Sequence, residues 1–159
     1  MIKNNPEKES WRNVDLGPCA CSQLRRAARA VSSMYDEFLA SVGLTVTQYA
    51  LLVNIGRAEQ ISRTALAAKM GMERTTLTRN LRPLERQRLF SEKPGEDRRE
   101  RALQLTAAGR RRLARSYPRW RQAQKTFASR LGAERMEELR SLLAIAAKAS
   151  CDSLPSART

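Results

Sequence analysis

The segment from Ser62 to Thr106 constrains the fold most, because its residue pattern changes from helical to extended at recognisable turn residues. Ser62 can cap a short helix, Arg63–Met70, by accepting a hydrogen bond from an otherwise unpaired backbone N–H. Gly71 can end this helix, since glycine tolerates the left-handed conformation of a C-terminal cap. A short helix followed by a tight turn is therefore predicted at the start of the segment.

The second helix of this segment, from about Glu73 to Arg88, has distinct apolar and polar faces. Leu77, Leu81 and Leu84 recur at helical spacing and predict a buried stripe. A rotation of about 100° per residue places arginine and threonine side chains on the opposite face. Arginine can chelate guanine edges or pair with phosphate, and threonine offers a hydroxyl and a methyl group. We therefore predict that this helix contacts DNA through Arg74, Thr75, Thr76, Thr78, Arg79 and Arg82.

A hairpin is predicted after the second helix. Leu89–Lys93 and Arg101–Leu105 are strand-length, and the intervening Pro94-Gly95-Glu96-Asp97 has turn chemistry. The predicted tip carries three arginines that could contact DNA, namely Arg98, Arg99 and Arg101. A two-stranded arm of this kind beside a helix-turn-helix is typical of a winged helix-turn-helix domain, which we place at residues 46–106. A basic, solvent-exposed helix next to a surface hairpin is the alternative interpretation.

The same segment resembles a known family. The stretch LAAKMGMERTTLTRNLRPLERQRLF, followed by DRRERALQLTAAG, closely resembles the multiple-antibiotic-resistance regulator (MarR) family. The wing motif of that family, Asp-x-Arg, appears as Asp97-Arg98-Arg99, and Leu105-Thr106 matches its lead-in to the next helix. The resemblance covers about residues 19–150. It implies an obligate dimer of winged domains joined by a helical bundle, which usually represses transcription until a signal releases it.

Helices are also predicted before the winged segment. Apolar residues advance by three or four from Cys21 to Val42, which predicts a helix from Cys19 to about Ala40 that Gly43 ends. A second helix, from Thr47 to about Arg57, is expected to bury Tyr49, Leu52, Val53 and Gly56, with Thr45 as its N-cap. Residues 1–18, rich in charges and proline or glycine, are predicted to form a flexible arm.

Two further helices are predicted after the wing. A long helix from Ala107 to Arg130 contains Pro118, which predicts a kink, and a last helix runs from about Ala133 to Ser150 before a short tail, 151–159. The rest of a single chain is too small to cover the apolar faces of its first and last helices. We therefore expect residues 19–45 and 107–150 to form a dimerisation region in a homodimer. A closed monomer that packs these helices together is the alternative. The fold class is mainly α, with a small β-hairpin wing.

The charge of the chain indicates a polyanionic partner. The net charge is +14 over 159 residues, with a pI near 10.9, which favours nucleic acid first and an anionic membrane second. No apolar run approaches the roughly 18 residues that a membrane span needs. The N-terminus has no apolar signal-peptide core, and three cysteines are too few for a disulfide scaffold. We therefore expect double-stranded DNA as partner, no membrane association and a cytoplasmic location.

Composition argues against catalysis. The chain contains no histidine, which removes the usual general base and the commonest metal ligand. It has neither a glycine-rich phosphate loop nor a serine nucleophile motif, and three scattered cysteines cannot complete a zinc site alone. We therefore expect no catalytic residues, no cofactor and no metal site of the zinc type.

The cysteines are the one reactive set outside the DNA-reading segment. Cys19 and Cys21 would point about 200° apart on a helix, but could converge on a soft ion if Cys19 lies in extended chain. By the family resemblance, Cys21 and Tyr35 fall where a hydroperoxide-sensing branch keeps its reactive cysteine and a tyrosine that contacts it, while Val46 replaces the second tyrosine. Cys151 of one subunit could lie near these cysteines of the other. Packing, thiol redox chemistry and soft-metal or metalloid binding all remain open.

The sequence therefore predicts a dimeric regulator that represses transcription by occupying a near-palindromic operator. A sequence-tolerant architectural protein that coats DNA by charge is the alternative from another class, and salt dependence with specificity would discriminate the two. The releasing signal stays open between an oxidant or metal at the cysteines and a small-molecule inducer. An aromatic acid is one candidate inducer, because the MarR family often binds such ligands between the dimer bundle and the winged lobe.

Overall fold

A computed structural model of the chain describes residues 14–94 and 101–151. Within these ranges the chain is mainly helical and forms one small antiparallel sheet, which confirms the predicted fold class. The elements in order are α1 (Ala20–Leu39), a 3-10 turn (Ala40–Val42), α2 (Val46–Ala58), β1 (Ile61–Ser62), α3 (Arg63–Met70), α4 (Arg74–Arg86), β2 (Phe90–Pro94), β3 (Arg101–Leu105), α5 (Ala107–Leu131) and α6 (Ala133–Cys151).

Side-chain caps fix where three of these helices begin. The Thr45 hydroxyl accepts from Gln48 N at 3.2 Å, and the Gln48 side chain accepts from Thr45 N at 3.1 Å, so α2 opens with a capping box. Ser62 Oγ accepts from Ala65 N at 3.2 Å at the start of α3, and Thr106 Oγ1 opens α5 in the same way. The predicted caps at Thr45, Ser62 and Thr106 are confirmed.

Glycine ends two elements in the left-handed conformation. Gly71 has φ +59 after α3, and Gly43 has φ +67 after the 3-10 turn, as the sequence predicted.

The core lies between α2, α3, α4 and the sheet. The predicted leucine stripe of α4 is confirmed, since all three leucines are at most 1% exposed. The α2 prediction was only partly right, because Val53 is half-buried and Gly56 is exposed, while the inward face carries Leu51 and Ile55. Helix α2 is covered on two sides, by α5 and by the winged module. Its buried residues therefore do not form the single stripe that the sequence pattern predicted. The central buried residues are Leu51, Leu52, Ile55, Leu66, Leu77, Leu81, Leu84 and Leu103.

The sheet has three strands rather than the two predicted. Its order is β1-β3-β2, all antiparallel, with Ile61 opposite Leu103 and Phe90 opposite Leu105. Strand β1 was missed because two residues are too short to show an alternating pattern. Strand β2 begins at Phe90 instead of Leu89, because the chain turns through Arg88 at φ +53 before it extends.

The predicted helix α1 is present, but its predicted apolar stripe is largely uncovered in the single chain. Of that stripe only Tyr35 is buried, whereas Cys21, Leu24 and Ala28 are exposed. Leu39, which was not assigned to the stripe, is fully buried. The N-terminal half of the stripe is uncovered in the single chain, because no other described element of the same chain packs over it, and whether a second copy covers it stays a prediction.

Helix α6 shows the same exposure. Leu142 and Leu143 are 56% and 46% exposed, and Ile145 is 64% exposed. Among the described residues no single helix is long and apolar enough to cross a membrane. Two helical segments joined at a bend of 71°, Ala20–Val42 and Val46–Ala58, are together long and apolar enough for a span by length and composition alone. The second of them contributes Leu51, Leu52 and Ile55 to the core.

Helix α5 continues through Pro118 without a break. Proline removes one backbone hydrogen bond, but Trp120 on one side and Leu113 on the other pack against the core. The hydroxyl of Ser116, which is fully buried, donates to Arg112 O at 2.7 Å. Packing on both sides of the proline therefore holds the helix together.

Candidate nucleic-acid interface

The outer face of α4 is basic and hydroxyl-rich. Arg74, Thr75, Thr78, Arg79 and Arg82 are all exposed, and together they line a shallow depression of about 430 Å³. Thr76, which the sequence analysis placed on the same face, is half-buried instead. The leucine stripe on the opposite side holds this face outward, so burial of one face determines the exposure of the other.

The arginines of this face carry charge that no acidic side chain in the described part of the chain neutralises. Within residues 14–94 and 101–151, none of Arg74, Arg79 and Arg82 forms an ion pair. The Thr78 hydroxyl donates to Arg74 O at 2.9 Å, which leaves its oxygen able to accept. Three exposed guanidinium groups beside an exposed hydroxyl can bind phosphate oxygens or the acceptor atoms of base edges.

The wing is joined to α3 through Glu92, the middle residue of β2, whose side chain is 19% exposed. Its carboxylate accepts from Arg63 Nε at 2.7 Å and lies 2.5 Å from Arg63 Nη2. The second oxygen is 3.6 Å from Arg101 Nη1, and Arg63 also lies 3.9 Å from Glu85 of α4. One carboxylate therefore links the first residues of α3 and β3. The sequence analysis missed Glu92 and Arg63, whose separation of 29 positions leaves no periodic signal.

Arg101 lies at the end of the β2–β3 pair that leads into residues 95–100, the predicted tip of the wing. It is the first residue of β3, opposite Pro94, and its side chain is 74% exposed. Its charge is partly shared with Glu92, because antiparallel pairing places β3 beside β2 along that edge. The predicted contacts Arg98 and Arg99 and the wing motif residue Asp97 lie outside the described residues.

The C-terminal end of α4 is tied to α5. Arg112 Nη1 donates to Val42 O at 2.9 Å and to Gln87 Oε1 at 3.0 Å. Gln87 caps α4, so one guanidinium connects the long helix, the turn after α1 and the end of the DNA-facing helix. Composition alone does not show which arginine of α5 is bonded internally.

A cavity of about 960 Å³ lies between α2, the end of β3 and α5. Trp120 stacks on Tyr49 with ring centroids 5.9 Å apart and on Tyr117 at 6.2 Å. Burial, followed by the charge of Tyr117, raises the pKa of Tyr49 above its usual value, against a lowering effect of Arg57. The pocket thus combines aromatic walls with two arginines. Its lining residues include Val46, Tyr49, Val53, Asn54, Arg57, Arg110, Leu113, Tyr117 and Trp120.

The structure separates Cys21 from Tyr35 within one chain. Cys19 is the half-buried, extended residue before α1, and Cys21 is exposed on the first turn. Tyr35 is buried 14 positions further along the same helix, about 21 Å at 1.5 Å per residue. Its hydroxyl donates to Gln124 Oε1 at 2.7 Å, and burial raises the pKa of the phenol. A Cys21–Tyr35 contact would therefore have to join two chains.

The described residues form no cluster of ligands for a soft metal ion. Cys19 is extended at φ −68 and ψ 111, the condition under which the sequence allowed convergence with Cys21. Across the described ranges, however, no group of three or more His, Cys, Asp or Glu side chains is placed to hold a metal ion. Cys151 is the last residue of α6, and its side chain lies outside the described part.

Comparison with known proteins identifies relatives for this architecture. A family model described as MarR family matches residues 42–100. The transcriptional regulator MosR of M. tuberculosis, solved in complex with DNA, is 39% identical over 83% of this chain and 98% of that chain, with a TM-score of 0.70. The transcriptional repressor CouR, bound to a 23-mer DNA duplex, is 27% identical over 84% of this chain and 98% of its own, with a TM-score of 0.75.

A third solved structure gives the same result. A probable transcriptional regulator from Pseudomonas aeruginosa is 25% identical over 82% of this chain and 98% of that chain, with a TM-score of 0.74. A comparison with curated proteins gave no match.

Proposed function

The chain belongs to the MarR family of DNA-binding transcriptional regulators, and from that membership we propose that it is a dimeric repressor whose α4 reads base edges in a near-palindromic operator. The observation that carries this proposal is the outer face of α4, where Arg74, Arg79 and Arg82 are exposed and have no acid partner among the described residues. Arginine chelates guanine O6 and N7, which gives discrimination between bases. A relative of this chain, CouR, is itself described as a transcriptional repressor.

The wing would supply contacts that position the protein. We assign Arg98 and Arg99 to the DNA backbone or minor groove, with Asp97 and Arg99 forming the family's wing motif. Arg101 would contribute less than these two, because Glu92 already shares its charge. Phosphate contacts fix register but carry little sequence information. Sequence preference should therefore come from α4, whereas the wing should contribute mainly to affinity.

A dimer is proposed from the uncovered apolar faces of α1 and α6. Leu24, Leu142, Leu143 and Ile145 are all more than 40% exposed in the single chain. A second copy of the chain would bury them, and a two-fold dimer presents two α4 helices to two half-sites. In helix-turn-helix dimers those half-sites lie about 34–36 Å apart, so the placement of α1 and α6 would set the operator spacing.

Two routes of release are proposed for the repressor. An aromatic acid would fit the cavity, because Tyr49 and Trp120 offer stacking faces and Arg57 and Arg110 offer cationic partners. Oxidation of Cys21 by a hydroperoxide is the other route, and it would act on the dimer seam. The route through a soft metal has less support, since it lacks a third ligand among the described residues.

The test of base reading compares two arginines of α4. Arg79→Ala should reduce the preference for a selected duplex over random duplex, at about 1–3 kcal/mol for a lost base-edge contact. Arg86→Ala is the matched control, because Arg86 is also an exposed arginine but lies at the C-terminal end of α4, and the N-terminal residues of a reading helix contact bases. If Arg79→Ala leaves the preference unchanged, the proposed orientation of α4 is wrong.

A further inference from the structure

More than half of the excess charge of the chain lies on one helix outside the winged module. Helix α5 contains eight basic residues and no acidic residue, and the whole chain carries +14. Helix α4, the proposed reading helix, contains four arginines and one glutamate. The base-reading function therefore does not account for the largest concentration of positive charge. The basic residues of α5 are Arg110, Arg111, Arg112, Arg115, Arg119, Arg121, Lys125 and Arg130.

Three of these residues form a stripe along the outward face of α5. Arg111, Arg115 and Arg119 follow one another at four-residue steps, about 6 Å of helix rise each. All three are exposed, and none forms an ion pair with any residue in the described ranges. The far side of the helix is covered, since Leu113 and Trp120 pack against the core. We call Arg111, Arg115 and Arg119 the α5 stripe.

The stripe is unfavourable for the free protein. Like charges at i and i+4 on a helix destabilise it, and the stripe contains two such pairs in succession. Exposed helices normally offset these charges with glutamate one turn away, but α5 has none. A polyanion lying along the helix would remove the repulsion and release the counterions that screen it.

We propose that the α5 stripe binds the phosphate backbone of a duplex segment other than the one read by α4. Strand β3 carries the chain from Arg101 back to the buried Leu105, about 13 Å of extended chain, before α5 begins. The stripe starts beside Arg112, which bonds Gln87 at the C-terminal end of α4, whereas the reading residues Arg74 to Arg82 lie about 8–20 Å back along α4. Each subunit therefore presents two separate basic surfaces, one for reading a sequence and one for holding a second segment.

The chemistry of the stripe favours DNA over a membrane or an acidic protein. Helices that bind membrane surfaces insert an apolar face beside their basic residues, whereas the apolar side chains of α5, such as Leu113 and Trp120, pack into the core. Protein interfaces combine arginine with apolar and aromatic anchors at their centre, and the stripe has no apolar or aromatic member. A regular row of guanidinium groups matches a repeating phosphate chain.

The experiment compares two triple variants that remove the same charge. One carries Arg111→Gln, Arg115→Gln and Arg119→Gln. The matched control carries Arg25→Gln, Arg26→Gln and Arg29→Gln, three exposed arginines of α1. Binding to a random-sequence duplex is measured between low and high salt. The slope of log affinity against log salt should fall by about 2–3 in the stripe variant, at roughly 0.9 per lost phosphate contact, and by less than about 1 in the control.

A second readout separates the stripe from the reading function. The full-length protein is bound to a bead-linked selected duplex, and retention of a second, labelled duplex is measured. The parent and the α1 control should retain the second duplex, and the stripe variant should lose most of it while binding the selected duplex within about twofold of the parent. Failure of the base-reading proposal would instead appear as an unchanged sequence preference in Arg79→Ala. The two proposals can therefore be refuted separately.

Several results would overturn the proposal. Equal slope changes in the two triple variants would mean that only net charge matters, and undiminished retention in the stripe variant would exclude a second duplex. Loss of binding to vesicles containing phosphatidylserine, with duplex retention intact, would reassign the stripe to membranes. Arginine to lysine at the same three positions keeps the charge, so it should preserve the slope of the parent. The melting temperature of the glutamine variant should not fall, because repulsion is removed.

Discussion

Gly109 occupies a place in α5 where no side chain fits. A Cβ built on Gly109 would lie 1.9 Å from the carbonyl oxygen of Leu89 and 3.0 Å from its carbonyl carbon. The same oxygen accepts from Thr106 N at 3.1 Å and from Thr106 Oγ1 at 3.2 Å. Because the obstacle is backbone, the substitution Gly109→Ala can be accommodated only if the start of α5 moves away from Leu89.

The size of the effect follows from that displacement. A shift of at least about 1 Å would stretch both Thr106 hydrogen bonds beyond useful length, at about 1 kcal/mol each. Strain from overpacking adds about 1–3 kcal/mol, and the gain of alanine over glycine in a helix returns about 1 kcal/mol. The free energy of unfolding should therefore fall by about 2–4 kcal/mol. At this chain length the melting temperature should drop by roughly 10 °C.

The assay is thermal unfolding followed by circular dichroism, with Gly71→Ala as the control. Gly71 has φ +59 and no atom within 4 Å of a built Cβ, so its replacement costs only the backbone strain of about 1–2 kcal/mol. Helix propensity alone predicts the reverse order, since Gly109 is within a helix and Gly71 is not. A Gly109→Ala protein as stable as the parent, or more stable than Gly71→Ala, would refute the packing described for α5 and β2.

Four further predictions follow from the contacts. Glu92→Gln should release the wing from Arg63, so competition binding should show a lower affinity for the selected and the random duplex alike, with their ratio kept and the circular dichroism spectrum unchanged; a fall in the ratio with undiminished random-duplex affinity would contradict the role given to the wing. Leu142→Asp would bury an unpaired charge between subunits, at several kcal/mol, so sedimentation should show monomer or unfolded chain, and an intact dimer would contradict the proposed seam. Burial raises the pKa of Tyr35, so the contribution of its neutral phenol to folding stability is complete below about pH 10 and is lost as the pH rises further. Tyr35→Phe should therefore flatten the fall in melting temperature between about pH 9 and 11. An unchanged pH profile would show that Tyr35 does not cause this fall. Organic hydroperoxide should release the parent from DNA but not Cys21→Ser, and equal release would restrict Cys21 to packing.

The sequence predicted most of the winged module because its signals are local. Helix α4 could be placed from Leu77, Leu81 and Leu84, since burial of one face requires apolar residues at helical spacing. Ser62 and Gly71 could be read as caps, because capping depends on one residue and its immediate neighbours. The exposed face of α4 then followed from the buried one.

Contacts between distant segments could not be predicted in this way. The Glu92 carboxylate meets Arg63 across 29 positions, and the Gly109 approach to Leu89 joins two elements that sequence spacing does not relate. The first half of α1 carries an apolar periodicity that indicates burial, yet Leu24 is 44% exposed in the single chain. Periodicity identifies a face to be covered, but it does not say whether the cover comes from the same chain or from another one.

The most direct test of the proposed function is the specificity of the parent protein. A preferred duplex is selected from a random pool, and its dissociation constant is compared with that of random duplex at one physiological salt concentration. Base reading by a pair of α4 helices predicts a preference of at least about 10³-fold, with an approximately palindromic selected sequence. A preference below about tenfold, with no sequence emerging from the pool, would contradict base reading and identify the protein as one that coats DNA by charge.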